Sequence, residues 1–207
     1  PVAAWLITAT KMGIHSGKFP KAFEDERDML SDYLHLHYPS ICNGTEYFIR
    51  TENVSLKAGQ HKAGPYTNMK QIIESLVTCI DGHTPISDFT KHLTIYFIPW
   101  VKLPQSREYR GFIYNGTLTA LSQQHLYSVY PYGDNHMARV AFLEREARII
   151  MNYFYTEIRA KITHISSYTF DIAILDDDSP FFIEINCFGA KYAAGSALFG
   201  WVQDDAM

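Results

Sequence analysis

Asp171, Glu184 and Asn186 lie in FDIAILDDDSPFFIEIN, residues 170–186, where two alternating apolar runs flank an acidic turn. A two-residue turn at Asp177-Asp178, or a four-residue turn over 176–179, puts Asp171 opposite Glu184. Directly opposed side chains sit about 4.5–5.5 Å apart at Cβ on one side of the sheet, so two carboxylates there repel unless a cation lies between them. Asn186 points to the same side because strand side chains alternate. Hard oxygen donors without His or Cys suit Mg²⁺ or Mn²⁺, and Mg²⁺ with few protein ligands commonly holds substrate phosphates as well. Ile172, Ile174, Ile183 and Ile185 form an apolar stripe for a helix behind, with Ala173 and Phe182 expected beside the acids. The competing reading is a solvated sheet face carrying ordinary acids.

Arg50, Lys57 and Lys62, with Gly59 and Gly64, form a second constellation. A strand running into a Gly-containing, Lys-bearing loop can wrap phosphate oxygens with backbone N–H groups while an ammonium supplies charge. No GxxxxGK[ST] sequence is present, and a flexible surface loop has the same composition. In EYRGFIY, alternation puts Glu108, Arg110 and Phe112 on one face, so Arg110 emerges from an inner strand, where a structural ion pair is the plain alternative. Trp100, Val101 and Lys102 occupy a Pro-flanked connection whose main chain could meet an adenine ring, while the Trp100 side chain reads as a core anchor. The nine histidines show no zinc-ligand spacing, and there is no GxSxG.

These residues need elements to hold them. AWLITAT reads as a short strand, and Phe23, Arg27, Leu30, Tyr33 and Leu34 recur at helical spacing before Pro39. YFIR is a strand. Asn68 caps a helix with Ile72, Ile73, Leu76, Val77 and Ile80 on one stripe. HLTIYFIPWVKL is a strand interrupted by Pro99. Asn115-Gly116 turns a hairpin, because Asn-Gly favours a type I′ turn. Residues 139–161 form a long helix with Leu143, Ala147, Ile150, Phe154 and Ile158 inward. Hairpins outnumber crossovers, so the fold class is α+β with largely antiparallel sheets.

The 207 residues, 47% hydrophobic and 19% charged, can bury a substantial core. A net charge of -4 without a basic run removes the electrostatic reason to expect a nucleic acid or an anionic membrane. Cys42, Cys79 and Cys187, odd in number and without CxxC spacing, read as reduced thiols in a cytoplasmic protein. The sequons at Asn43, Asn53 and Asn115 carry little without a secretory signal. AAWLIT is far shorter than the roughly 20 apolar residues of a membrane span.

Taken together, YFIR, SLK, REYRGFIYNGTLTALSQQ and FDIAI…FFIEINCFG…GSALFGW resemble the ATP-grasp fold over residues 46–201. More narrowly, they resemble the branch containing the eukaryotic cell-division-cycle protein that helps assemble translation initiation factor two, with viral and bacterial relatives. That resemblance implies phosphate contacts from Arg50, Lys57 and Arg110, a hinge at Trp100, a motif at Leu121-Ser122-Gln123, and Mg²⁺ ligands at Asp171, Glu184 and Asn186. Tyr109 stands where the branch has Phe, and Cys187 where it usually has Pro. The expected architecture is two α+β lobes enclosing a nucleotide cleft. Residues 46–100 would be the smaller nucleotide-binding lobe and 101–207 the larger lobe with the metal. Residues 1–45 read as an N-terminal segment, the remnant of a preceding domain.

The resemblance implies ATP and Mg²⁺ as cofactors. As a carboxylate-amine ligase, the protein would transfer phosphate from ATP to a small carboxylate, with Arg110 and Lys57 catalytic, and an amine would attack the acyl phosphate. The alternative is a nucleotide-dependent module acting on a protein partner. A second basic pocket would separate the two, with Lys191 and the loop 189–196 its candidates. A dead scaffold is disfavoured, since all three mapped metal ligands are oxygen donors.

Overall fold

The computed structural model describes residues 2–41, 44–125 and 135–187. It is a mixed α+β chain with antiparallel sheets, in two compact units, Pro1–Val101 and Lys102–Met207. No helix among the described residues is long and apolar enough to cross a membrane.

The first unit opens with a correction. AWLITAT is not a strand but the start of helix α1, Ala4–Ser16. Ile7, Thr8 and Thr10 suggested β-structure, yet Leu6, Ala9, Thr10 and Gly13 fall at i, i+3, i+4 and i+7 and form the buried stripe. Gly17 closes the helix in the left-handed conformation, its N–H returning to the Gly13 carbonyl. Helix α2, Glu24–His37, begins with Glu24, Asp25 and Glu26, which favour the positive end of the helix dipole. Leu30 and Leu34 turn inward as expected, whereas Tyr33 is exposed.

Helix α3, Met69–Thr78, is capped by Asn68, whose side-chain oxygen accepts from the Gln71 N–H at 3.0 Å. Ile72, Ile73, Leu76 and Val77 are buried as the periodicity predicts; Ile80 lies past the helix end and is exposed. Strand β1, Tyr47–Thr51, pairs antiparallel with β2, Ile95–Pro99, with Ile49 opposite Phe97. Ile49, Leu56 and Tyr66 join the α3 stripe and Leu6 and Ala9 of α1 in one core, so residues 1–45 contribute to this unit's interior. A Cβ on Gly13 would stand 2.6 Å from the Val77 carbonyl oxygen, because α1 and α3 meet there nearly backbone to backbone.

In the second unit, β3, Glu108–Tyr114, and β4, Thr117–Gln123, meet at Asn115-Gly116, where φ values of 48° and 72° match the expected type I′ turn. Strands β5, Tyr168–Ile174, and β6, Pro180–Asn186, complete a sheet in the order β4-β3-β5-β6. Helix α4, His136–Tyr153, runs into a turn of π-helix at Phe154–Ile158. Ile150, Phe154 and Ile158 pack on Tyr168, Phe170, Ile172 and Ile174, with the Phe154 and Phe170 rings stacked at 5.7 Å. Gly111, opposite Phe170, leaves room for that ring. Leu143 is exposed, contrary to the expected stripe, and Glu146 points inward instead.

Gly13→Val will lower stability by about 1–3 kcal/mol through overpacking against the Val77 carbonyl, read as a reduced urea midpoint. Burial pushes the Cys79 thiol up to about 11 from an ordinary 9.0. Its contribution is therefore complete below about pH 9 and is lost as pH rises through about 11, when the unfolded chain ionises first. Urea midpoints at pH 8 and pH 11 will differ less in Cys79→Ala than in the parent chain.

Candidate functional site

The acidic hairpin reaches its expected pairing by an unexpected route. Its turn has three residues, 176–178, not two or four: the Asp178 N–H donates to the Leu175 carbonyl and the Leu175 N–H to the Ser179 carbonyl, both at 2.9 Å. Asp178 takes a positive φ of 66°, which a three-residue hairpin needs at its last position. Alone, that turn would set Asp171 against Ile183. A bulge in β6 restores the register, so Asp171 faces Glu184 and Thr169 faces Asn186. Between turn and bulge the turn's own register holds, which puts Phe182 opposite Ile172 and against the helix core, not beside the acids as expected.

Asp171 is buried and fully occupied. The Arg110 guanidinium, its neighbour on β3, donates from Nε to Oδ1 and from Nη2 to Oδ2, both at 2.8 Å. Gln124 Nε2 donates to Oδ1 at 2.7 Å and Asn186 Nδ2 to Oδ2 at 3.0 Å. Two donors on each oxygen use about the four lone-pair sites that a carboxylate offers. The hydrogen bond to Asp171 raises the Arg110 pKa against the opposing effect of burial, and the charges of Glu184 and Glu108 add to it. Arg110 thus neutralises Asp171 from the side away from Glu184, so the repulsion of the opposed carboxylates does not by itself require a metal. Gln124 follows the end of β4, its N–H on the Glu108 carbonyl, and its sequence signal is the i+2 spacing from Ser122, the residue opposite Arg110.

Glu184, directly opposite Asp171, is partly exposed and has no ion pair or hydrogen bond among the described residues. Its free carboxylate and the Asn186 amide oxygen are hard donors of the kind Mg²⁺ takes, and Asp171 would join them only by exchanging part of the Arg110 fork. The donor chemistry therefore fits the ion. The described residues contain no cluster of three His, Cys, Asp or Glu that could hold a metal. Two buried side-chain atoms among the described residues lack a partner, Gln123 Nε2 and Thr169 Oγ1.

A second network, unforeseen in the sequence, makes Asp178 more than a turn residue. Arg107 donates through Nη2 to Glu146 Oε1 and Asp178 Oδ1, both at 2.7 Å, and through Nη1 to the Leu175 carbonyl at 2.8 Å. Arg145 of α4 pairs with the other Asp178 oxygen. Glu146 is wholly buried, so the charged turn is tied to the helix by a desolvated ion pair.

In the first unit, Arg50 lies on the β1 face away from the core, with Phe48 and, across the pair, Tyr96 and Ile98. Tyr96 and Ile98 are exposed, which gives this Arg an aromatic and apolar surround. Lys57 is exposed on a short 3-10 turn, Leu56–Ala58, that Leu56 anchors in the core. The following loop is tied down, unlike a flexible surface loop. Gln60 N–H donates to Thr78 Oγ1 at 2.8 Å, His61 Nε2 meets Glu74 Oε2 at 2.6 Å, and Gly59 leaves no room for a Cβ beside Ser75. The Trp100 N–H is committed to the Glu46 carbonyl at 2.9 Å, while Val101 and Lys102 follow without regular structure. Arg110, Asp171, Glu184 and Asn186 come together within the second unit; Arg50, Lys57, Trp100 and Val101 belong to the first, and Lys102 opens the second. Lys191, the loop 189–196 and Cys42 lie outside the described residues.

This antiparallel α+β fold has solved counterparts. C-terminally truncated Cdc123 from Schizosaccharomyces pombe is similar with a TM-score of 0.63 over 97% of this chain and 81% of that one, at 14% identity. Cdc123 from the same organism is similar with a TM-score of 0.62 over 98% and 81%, also at 14% identity. At such identity the likeness is one of fold. No curated protein matches the sequence. The D123 family model matches residues 72–204, well over half of the chain, and the chain belongs to the D123 family.

Asp171→Ala will strand the Arg110 charge and destabilise the fold, toward the lower end of the about 3–5 kcal/mol seen when a buried pair is broken, because Arg110 keeps some solvent contact. Glu184→Gln breaks no contact and will shift stability by about 0.5 kcal/mol or less. Urea titration of the two variants checks this contrast.

Proposed function

We propose that this D123-family chain is an ATP- and Mg²⁺-dependent binding module that acts on a protein partner as an assembly chaperone does, built on an ATP-grasp architecture and working in the cytoplasm. Membership of the D123 family, together with a fold like that of Cdc123, is the observation that carries this reading over the ligase. The resemblance to the initiation-factor assembly branch points the same way. The ligase needs a second anion pocket, and its candidates, Lys191 and the loop 189–196, lie outside the described residues.

In this reading Asp171, Glu184 and Asn186 hold Mg²⁺, and Arg50, Lys57 and Arg110 contact the phosphates. Trp100, Val101 and Lys102 receive the adenine. The ion supplies neutralisation of phosphate charge. Arg110 has a choice of anions: phosphate oxygens compete with Asp171 for its fork, and an Arg that turns to phosphate frees Asp171 oxygens. The exposed aromatic and apolar surround of Arg50 and the anchored Lys57 turn support a first-unit contribution to a nucleotide.

Calorimetric titration of Mg·ATP is expected to show binding to the parent chain and a loss of about tenfold or more in Glu184→Gln, whose fold circular dichroism will show intact. Equal affinity in the two proteins would remove the metal assignment. Incubation with ATP, amino acids and peptides separates the functions. Binding without ADP release supports the module, and substrate-dependent ADP and phosphate release supports the ligase.

A further inference from the structure

Thr169 has 0% exposure and its hydroxyl has no hydrogen-bond partner among the described residues. It alternates with Asp171 along β5, so both point to the face away from the Phe154 and Phe170 core. Its register partner on β6 is Asn186, whose Nδ2 is committed to Asp171; on β3 it faces Phe112, which offers no side-chain hydrogen bond. A buried hydroxyl left unpaired is destabilising, and in a strand Val fills the same shape without that cost. The orphan is therefore informative. It stands one register pair from the Asp171–Glu184 rung, among residues already argued to hold an ion.

We propose that the Thr169 hydroxyl belongs to the ion site and bonds a water of the hydrated Mg²⁺, beside the Asn186 ligand. The inference rests on the proposed function, since it needs Mg·ATP at Asp171, Glu184 and Asn186. Mg²⁺ sheds water reluctantly and usually keeps several in protein sites. A coordinated water is a strong donor, and a Thr hydroxyl can accept from it. Partners of this outer kind orient the inner ligands, and their loss weakens metal affinity. Thr169 is thus a positioning residue: it touches neither the phosphates nor the ion.

Thr169→Val and Thr169→Ser test it through two measurements, the urea midpoint without ligand and the Mg²⁺ concentration giving half-saturation at fixed ATP. In Thr169→Val the midpoint is expected to hold or rise, because the orphan hydroxyl is gone, while the Mg²⁺ requirement rises about three- to tenfold. Thr169→Ser restores the parent Mg²⁺ requirement. A lowered midpoint in Thr169→Val with an unchanged Mg²⁺ requirement would overturn the proposal, since the hydroxyl would then hold a structural water independent of the ion. So would an unchanged Mg²⁺ requirement at any midpoint. If the parent chain binds no Mg·ATP, both this inference and the function above fail; if it binds and Glu184→Gln does not, an unaltered Thr169→Val overturns this inference alone.

Discussion

The Arg110–Asp171 fork is the interaction on which the second unit's polar face depends. Antiparallel pairing puts Asp171 between Arg110 on one side and Glu184 on the other, so a cation and two anions share one row across three strands. Separating the guanidinium from that row would leave a buried carboxylate with too few donors and two acids in mutual repulsion. Gln124, just past the end of β4, and Asn186 on β6 complete the shell. Residues of β3 and β6 and the residue following β4 therefore hold a single carboxylate of β5.

That row exists only because the hairpin has two compensating irregularities. A three-residue turn offsets β6 by one position, and the bulge returns it. The turn is in turn held by Arg107, which reaches Glu146 on α4 and Asp178 in the turn. Two arginines three residues apart on the β3 side thus have different tasks. Arg107 binds the turn to the helix, and Arg110 settles the charge of the site.

In the proposed nucleotide site, Arg110 would exchange its Asp171 carboxylate for a phosphate, two anions that suit the same guanidinium fork. Glu184, the carboxylate without a partner among the described residues, is the group with least to lose on binding a cation. In the first unit, the Lys57 loop is held to α3 by His61–Glu74 and Gln60–Thr78, which lowers the entropy cost of presenting a charged side chain.

How much of this was legible before any coordinates follows from the range of the forces involved. Asn68 as a cap, Asn115-Gly116 as a type I′ turn and the α3 stripe were readable because each rests on local backbone chemistry or on period within one element. The alternation of β3 and β5 likewise placed Arg110 and Asp171 on faces, and Asp171 opposite Glu184, although the expected turn lengths were wrong. AWLITAT misled because its β-branched residues outweighed a helical stripe whose value depends on Gly13 meeting Val77 of a distant helix. Glu146 looked like a surface acid until Arg107 stood beside it. The sequence by itself determined the α+β class, most elements and the residue types of the site. Only the tertiary structure decided which charge neutralises which, because that depends on strand order and a single bulge, and strand neighbours far apart in the chain leave no local trace of their meeting.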